Sequence, residues 1–226
     1  MGVVAGDGAR ARYLAERGGQ WAGYLAGLVA AGRAMSVEKR GNRVMTPLWC
    51  AKDMVTVFRP AGHILEPCLG DGVFLAALKS ANWTQIDYCE IDQGKDFFSW
   101  TTPVNWIITN PPYNLTRPFA RHAFEIADDV VFLVPIRNVF SGFGFIEEIF
   151  KFGGMPHVRV YGTGGSLGFP MGNAIGAMHF QRDYRGPTRW SFYRAQHCER
   201  GQGARQRRGP AGGGSRGPAT VRPSRG

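Results

Sequence analysis

The chain has 226 residues, 44% of them hydrophobic, which supports one domain with a sizeable core and excludes a wholly disordered protein. Its formal net charge of +10 is carried mostly by seven arginines between Arg200 and Gly226, leaving about +3 for the rest. Cys50, Cys68, Cys89 and Cys198 lack paired spacing and the five histidines are dispersed, so no disulfide framework and no metal site is readable, and buried thiols point to a reducing, cytoplasmic setting.

In chain order, residues 1–34 are rich in Gly and Ala and read as an extension outside the core, with Met35 an alternative start. Their apolar stretch Trp21–Ala31 is too short for a membrane span and lacks a signal-peptide layout, so no membrane partner is expected. Residues 35–199 read as one folded domain. Met45-Thr46-Pro47-Leu48-Trp49 precedes a helix-like run, Ala51 to Phe58. The apolar segment Gly62 to Leu65 then leads into Glu66-Pro67-Cys68-Leu69-Gly70-Asp71-Gly72 and the helix-like Val73 to Leu78: a strand, a glycine turn and a helix. In a doubly wound α/β sheet this first turn receives a cofactor at the carboxyl ends of the strands, and Gly70 and Gly72 allow close backbone approach. The third glycine of a dinucleotide fingerprint and the lysine of a phosphate-cradling loop are both missing, so a pyrophosphate is not the expected ligand.

The strand Ile86 to Cys89 ends in Glu90-Ile91-Asp92, about 20 residues after the glycine turn, where a carboxylate takes both hydroxyls of a ribose. Asp96, beside Phe97 and Phe98, is placed to accept from an adenine amino group. The apolar strand Val104 to Ile108 ends in Thr109-Asn110-Pro111-Pro112-Tyr113. An exocyclic amino nitrogen has its lone pair delocalised into the ring, so it needs polarising rather than deprotonating. The Asn110 side-chain oxygen and the Pro111 carbonyl can each accept one amino hydrogen, drawing the nitrogen toward a tetrahedral shape. Pro111 and Pro112 stiffen the bracket, and Tyr113 offers a face on which a flat base stacks.

Leu115 to Ala127 reads as a helix with Arg117 and Arg121 one turn apart on a face suited to phosphate or simply to solvent. Val130 to Val134 is a buried parallel strand by its continuous apolar run. Phe140, Phe143 and Phe145, interleaved with Gly142 and Gly144, read as a mobile aromatic loop. Two strands, His157 to Tyr161 and Ala174 to Phe180, flank a glycine-rich loop in which Phe169 and Pro170 are expected to contact an extruded base. Residues 200–226 hold no acid and almost nothing apolar and read as a disordered basic tail with salt-sensitive attraction to phosphate.

Taken in order, Glu66 to Gly72, Glu90, Asp96 and Asn110 to Tyr113 resemble the successive motifs of class I S-adenosylmethionine-dependent methyltransferases, most closely those acting on N6 of adenine in DNA. The resemblance spans residues 42–184. It implies a Rossmann-like, seven-stranded, mostly parallel sheet with helices on both faces and one antiparallel strand, and S-adenosyl-L-methionine as cofactor. It assigns Thr46 and Pro47 to the methionine end, Glu66, Gly70 and Gly72 to the cofactor loop, Glu90 to the ribose and Asp96 to the adenine. Asn110, Pro111, Pro112 and Tyr113 take the target, with Phe169 and Arg117 as further substrate contacts. DNA is the expected partner, and the oligomeric state is not readable, a monomer being compatible with the motifs. RNA amino groups, the glutamine amide of a protein substrate, or a non-catalytic nucleic-acid-binding module remain as alternatives.

Overall fold

The computed structural model describes residues 44–169 and 172–194. The expected N-terminal extension, Met35, Pro170, Cys198 and the basic tail lie outside the described residues. A helix, α1 (Leu48–Phe58), opens the described chain. Its buried residues Cys50, Ala51, Met54, Val55 and Phe58 form a stripe at helical spacing. Arg59, in the left-handed conformation at φ 49°, closes it, and Pro60 prevents continuation.

Next come β1 (Ile64–Glu66), α2 (Val73–Ser80), β2 (Ile86–Tyr88) and β3 (Val104–Thr109). A short turn, Tyr113–Leu115, leads into α3 (Thr116–Ile126), followed by β4 (Ala127–Pro135), α4 (Ile136–Phe140) and α5 (Phe143–Phe152). The chain then runs through β5 (Gly153–Thr163), β6 (Ala174–Arg182) and β7 (Arg189–Phe192). The strands form one seven-stranded sheet in the order β2-β1-β3-β4-β6-β5-β7. The β1–β2, β1–β3, β3–β4 and β5–β7 pairs are parallel, and β6 runs against both β4 and β5. This is the expected mostly parallel sheet with a single reversed strand.

Successive strand residues face opposite ways, so the central strands supply two cores. Ile107, Val130, Phe132 and Phe180 pack with α3, α4 and α5 on one face, while Ile108, Val131, Leu133 and Ala177 pack with α1 and α2 on the other. Each fully buried Phe, Leu or Ile contributes roughly 1.5–3 kcal/mol.

Two expectations need correction. The Phe140 to Phe145 segment is not an irregular loop: it is the end of α4 and the start of α5, joined through Ser141 and the extended Gly142. Burial of Val139, Phe145 and Ile149 against the sheet sets this helical geometry and overrides the turn-forming tendency of the glycines. Phe169 is 5% exposed, packed in the α1/α2 core with Tyr161, Leu167 and Ile175, and offers no face to an extruded base.

Candidate active site

The order β2-β1-β3 brings three strand ends side by side, and each delivers a polar side chain. Glu66 closes β1, Glu90 follows β2 and Asn110 follows β3. Sequence spacing alone leaves these groups tens of residues apart, whereas parallel pairing collects them at one edge of the sheet.

Asn110 is the most informative. Its Nδ2 donates to the Val44 carbonyl at 2.8 Å and to Thr46 Oγ1 at 3.0 Å. The Val44 carbonyl can only accept, so the amide nitrogen has to face it and the orientation of the group is fixed. That leaves Oδ1 buried with no hydrogen-bond donor. A buried acceptor without a donor is costly, and the cost disappears when a ligand N–H arrives. Pro111 is buried behind it. Pro112 holds φ −54° and its carbonyl accepts from Leu115 N at 2.8 Å, closing the turn.

The Tyr113 carbonyl accepts from Thr116 Oγ1 and from Asn138 Nδ2, both at 2.8 Å, so α3 and α4 hold the residue that carries the expected stacking ring. Asn138 was not apparent from the sequence because the sequence gives no sign that α4 packs here. The Tyr113 hydroxyl is buried beside the Asn110 side chain but out of hydrogen-bond geometry with it; burial, reinforced by Cys50, pushes the phenol up, and the nearby Asn110 amide opposes the shift.

On the cofactor side, Gly70 and Gly72 have φ of 51° and 74°. A Cβ at Gly70 would meet Met45 Cε at 3.4 Å and one at Gly72 would meet Leu69 Cδ1 at 3.8 Å, so the left-handed backbone rather than crowding within the protein demands glycine. The Gly70 amide donates to Glu90 Oε2 at 2.8 Å and Asp92 N to Glu90 Oε1 at 3.3 Å. Glu90 therefore shapes the glycine loop through both of its carboxylate oxygens. Asp96 caps the next short turn by accepting from Phe98 N at 3.0 Å, while Phe97 is buried and stacks on Phe119 with ring centroids 4.9 Å apart.

Glu66 is 1% exposed. Its Oε1 accepts from Thr109 Oγ1 at 2.5 Å and Cys68 N at 2.9 Å, and its Oε2 has no partner. Burial drives its carboxyl up to about 8, with Glu90 adding to the rise and the two hydrogen bonds opposing it. Burial likewise raises Cys50 and Cys89 to about 12. These thiols are neutral and unreactive.

Thr46 is buried at the Asn110 amide, and Pro47 starts α1. The structure thus brings Thr46, Pro47, Glu66, Gly70, Gly72, Glu90 and Asn110 to Tyr113 to one edge. Arg117, half-buried, donates to Ser141 Oγ at 3.1 Å, and Arg121 is committed to Glu148 through two 2.7 Å bonds. Arg121 is thus part of an ion pair between α3 and α5, not a phosphate contact. Among the described residues no group of His, Cys, Asp and Glu could hold a metal ion, and no helix is long and apolar enough to cross a membrane.

No family model matches the chain, and no curated protein does. Solved structures do. A Listeria monocytogenes protein described as a class I S-adenosylmethionine-dependent methyltransferase is 14% identical, covering 74% of this chain and 72% of its own, with a TM-score of 0.51. The type IIG restriction endonuclease BpuSI is 14% identical over 71% of this chain and 28% of its own, TM-score 0.54. A type I restriction-modification methyltransferase subunit from Streptococcus thermophilus is 13% identical over 66% of this chain and 46% of its own, TM-score 0.50. The chain spans less than half the length of the last two. At this identity the likeness is one of fold, and the fold is that of the Rossmann-like methyltransferases.

Proposed function

We propose that the protein is an S-adenosylmethionine-dependent methyltransferase acting on the N6 amino group of adenine in DNA. The observation that carries this reading is the Asn110 amide, whose nitrogen is tied down by Val44 and Thr46 while its buried oxygen lacks a donor. An amino group is the complementary ligand. The restriction-modification proteins among the structural neighbours support DNA as the polymer.

The residues beside Asn110 fit the cofactor. Glu66 Oε2 is an unpartnered buried polar atom next to the left-handed Gly70–Gly72 loop, and Glu90 and Asp96 offer carboxylates at the following turns. Thr46 and Pro47 would hold the methionine end, Glu66, Gly70 and Gly72 the cofactor loop contact, Glu90 the ribose and Asp96 the adenine. When bound, the cofactor supplies a methyl group on a sulfonium, which the amino nitrogen takes as the sulfur–methyl bond breaks.

The protein's part is electrostatic and positional. Asn110 Oδ1 and the Pro111 carbonyl each accept an amino hydrogen, concentrating electron density on the nitrogen. Asn138 and Thr116 hold the Tyr113 turn so that its ring meets the base. No side chain has to abstract a proton beforehand, because the methylated nitrogen sheds its extra proton to water. DNA sequencing with N6-methyladenine detection, on cells expressing the protein, tests the proposal: modified adenines are expected, and unmodified DNA from cells containing folded protein contradicts it.

A further inference from the structure

Beyond the Asn110 site, exposed aromatic side chains lie on α4, α5 and β7. Among the described residues β7 pairs only with β5 and lies at the end of the sheet order. Its register sets Trp190 opposite Val158 and Phe192 opposite Val160, which places both rings on the face shared with α3, α4 and α5. Trp190 is 47% and Phe192 63% exposed. The Phe140 ring lies 6.3 Å from that of Trp190 with the planes 25° apart, and Phe143, at the start of α5, is 85% exposed.

This surface is tethered to the site. Asn138, two residues before Phe140, holds the Tyr113 carbonyl, and Arg117 reaches Ser141, between Phe140 and Phe143. Arg137 lies one turn before Phe140. Arg121, Arg159 and Arg182 each pair with a carboxylate, whereas neither Arg117 nor Arg137 does among the described residues. Glu148 is taken by Arg121, and Glu147, one turn beyond Phe143, is an exposed carboxylate on α5.

We propose that Phe140, Phe143, Trp190 and Phe192, flanked by Arg117 and Arg137, bind unpaired nucleic acid beside the target nucleotide, with bases stacked on the rings and phosphates on the arginines. The inference rests on the reading of the Asn110 pocket as a nucleobase site. Exposed rings next to uncompensated cations complement a polyanion with flat apolar faces. In a duplex those faces are covered by neighbouring base pairs, so the rings favour single-stranded or locally opened strands. A second copy of the chain fits worse, since a symmetric contact would bring like-charged arginines together.

The test uses the full chain with Trp190→Ala and Phe143→Ala, singly and combined, and fluorescence anisotropy with labelled single-stranded DNA, single-stranded RNA and duplex DNA of one sequence. Stacking on each lost ring predicts a weakening of single-strand binding of roughly tenfold, with duplex binding nearly unchanged. Selective loss on either single strand supports the inference, and the DNA and RNA arms show which sugar is preferred. Arg117→Gln with Arg137→Gln should flatten the salt dependence of single-strand binding. Unchanged single-strand affinity, equal loss on duplex, or a dimer in sedimentation that Trp190→Ala dissociates overturns it. Calorimetry with S-adenosylhomocysteine separates the two proposals: wild-type protein that binds none sinks the methyltransferase reading, whereas normal cofactor binding beside an unaffected strand affinity sinks only this one.

Discussion

Asn110 and Thr46, 64 positions apart in the chain, meet at the site: Asn110 Nδ2 donates to Thr46 Oγ1 at 3.0 Å. The bond joins the loop after β3 to the segment that leads into α1, so the side chain that would receive the amine also fastens the segment that would hold the methionine end of the cofactor. The donor half of the amide serves structure, and under the proposed function the acceptor half would be left for the substrate.

Asn110→Ala should therefore have two effects of different size. Turnover should fall by roughly two to three powers of ten, the scale for losing a preorganised polar contact. Folding stability should drop by about 1–2 kcal/mol as the Val44 carbonyl and Thr46 hydroxyl lose their donor. Single-turnover kinetics and denaturant unfolding measure these separately; unfolding loss alone, with normal turnover, would make Asn110 purely structural.

Glu90→Ala should weaken cofactor binding by tenfold or more, about 1.4 kcal/mol per factor of ten. The loss combines a direct part, the ribose acceptor, with an indirect one, release of the Gly70 amide that Glu90 holds at 2.8 Å. Calorimetry with S-adenosylhomocysteine reads the sum. Glu90→Gln keeps an acceptor for Gly70 and should recover part of the affinity, whereas equal affinity in all three proteins would remove Glu90 from the site.

The buried carboxyl of Glu66 makes stability depend on pH. Its value rises from 4.5 to about 8 on burial, so between those limits the folded chain binds more protons than the unfolded one. Stability is then full below the lower limit and lost as pH rises through about 8. Glu66→Gln, which carries no charge, should lie close to wild type near pH 5 and exceed it near pH 9 by something on the order of 4–5 kcal/mol. Parallel stability curves at both pH values would show that Glu66 ionises normally in the fold.

Asp53 in α1 ties that helix to β5: Arg159 meets it with two bonds of 3.0 Å and the Tyr161 hydroxyl donates at 2.8 Å. Both charged side chains are under one-fifth exposed. Asp53→Ala should cost about 3 kcal/mol, because it strands a largely buried guanidinium. Thermal unfolding checks this, and a change below about 0.5 kcal/mol would mean that solvent replaces the pair freely.

Much of this was readable where the signal is local. The strand–turn–helix from Ile64 to Ser80 and the strand ending in Asn110-Pro111-Pro112-Tyr113 each declare themselves through apolar runs broken by glycine or proline. What escaped was set by distant partners. α4 and α5 look like a loop because Gly142 and Gly144 interrupt the phenylalanines, and only packing of Val139 and Phe145 on the sheet reveals helices. β7 has four residues, mostly exposed, and so lacks the apolar alternation of a half-buried strand. Arg121 resembled a phosphate contact until Glu148, 27 positions on, occupied it. The Val44 carbonyl, which fixes the Asn110 amide, is a backbone group and leaves no trace in residue type.

Mass spectrometry of nucleosides is the decisive test of adenine methylation at the proposed Asn110 site. Purified protein and its Asn110→Ala variant are each incubated with methyl-labelled S-adenosylmethionine and adenine-containing DNA, single-stranded and duplex, and the DNA is digested. Labelled N6-methyldeoxyadenosine is expected from the wild-type reaction and at least a hundredfold less from the variant. Folded wild-type protein that binds the cofactor yet leaves every adenine unlabelled, or a variant that methylates as fast as wild type, would contradict adenine methylation at that site.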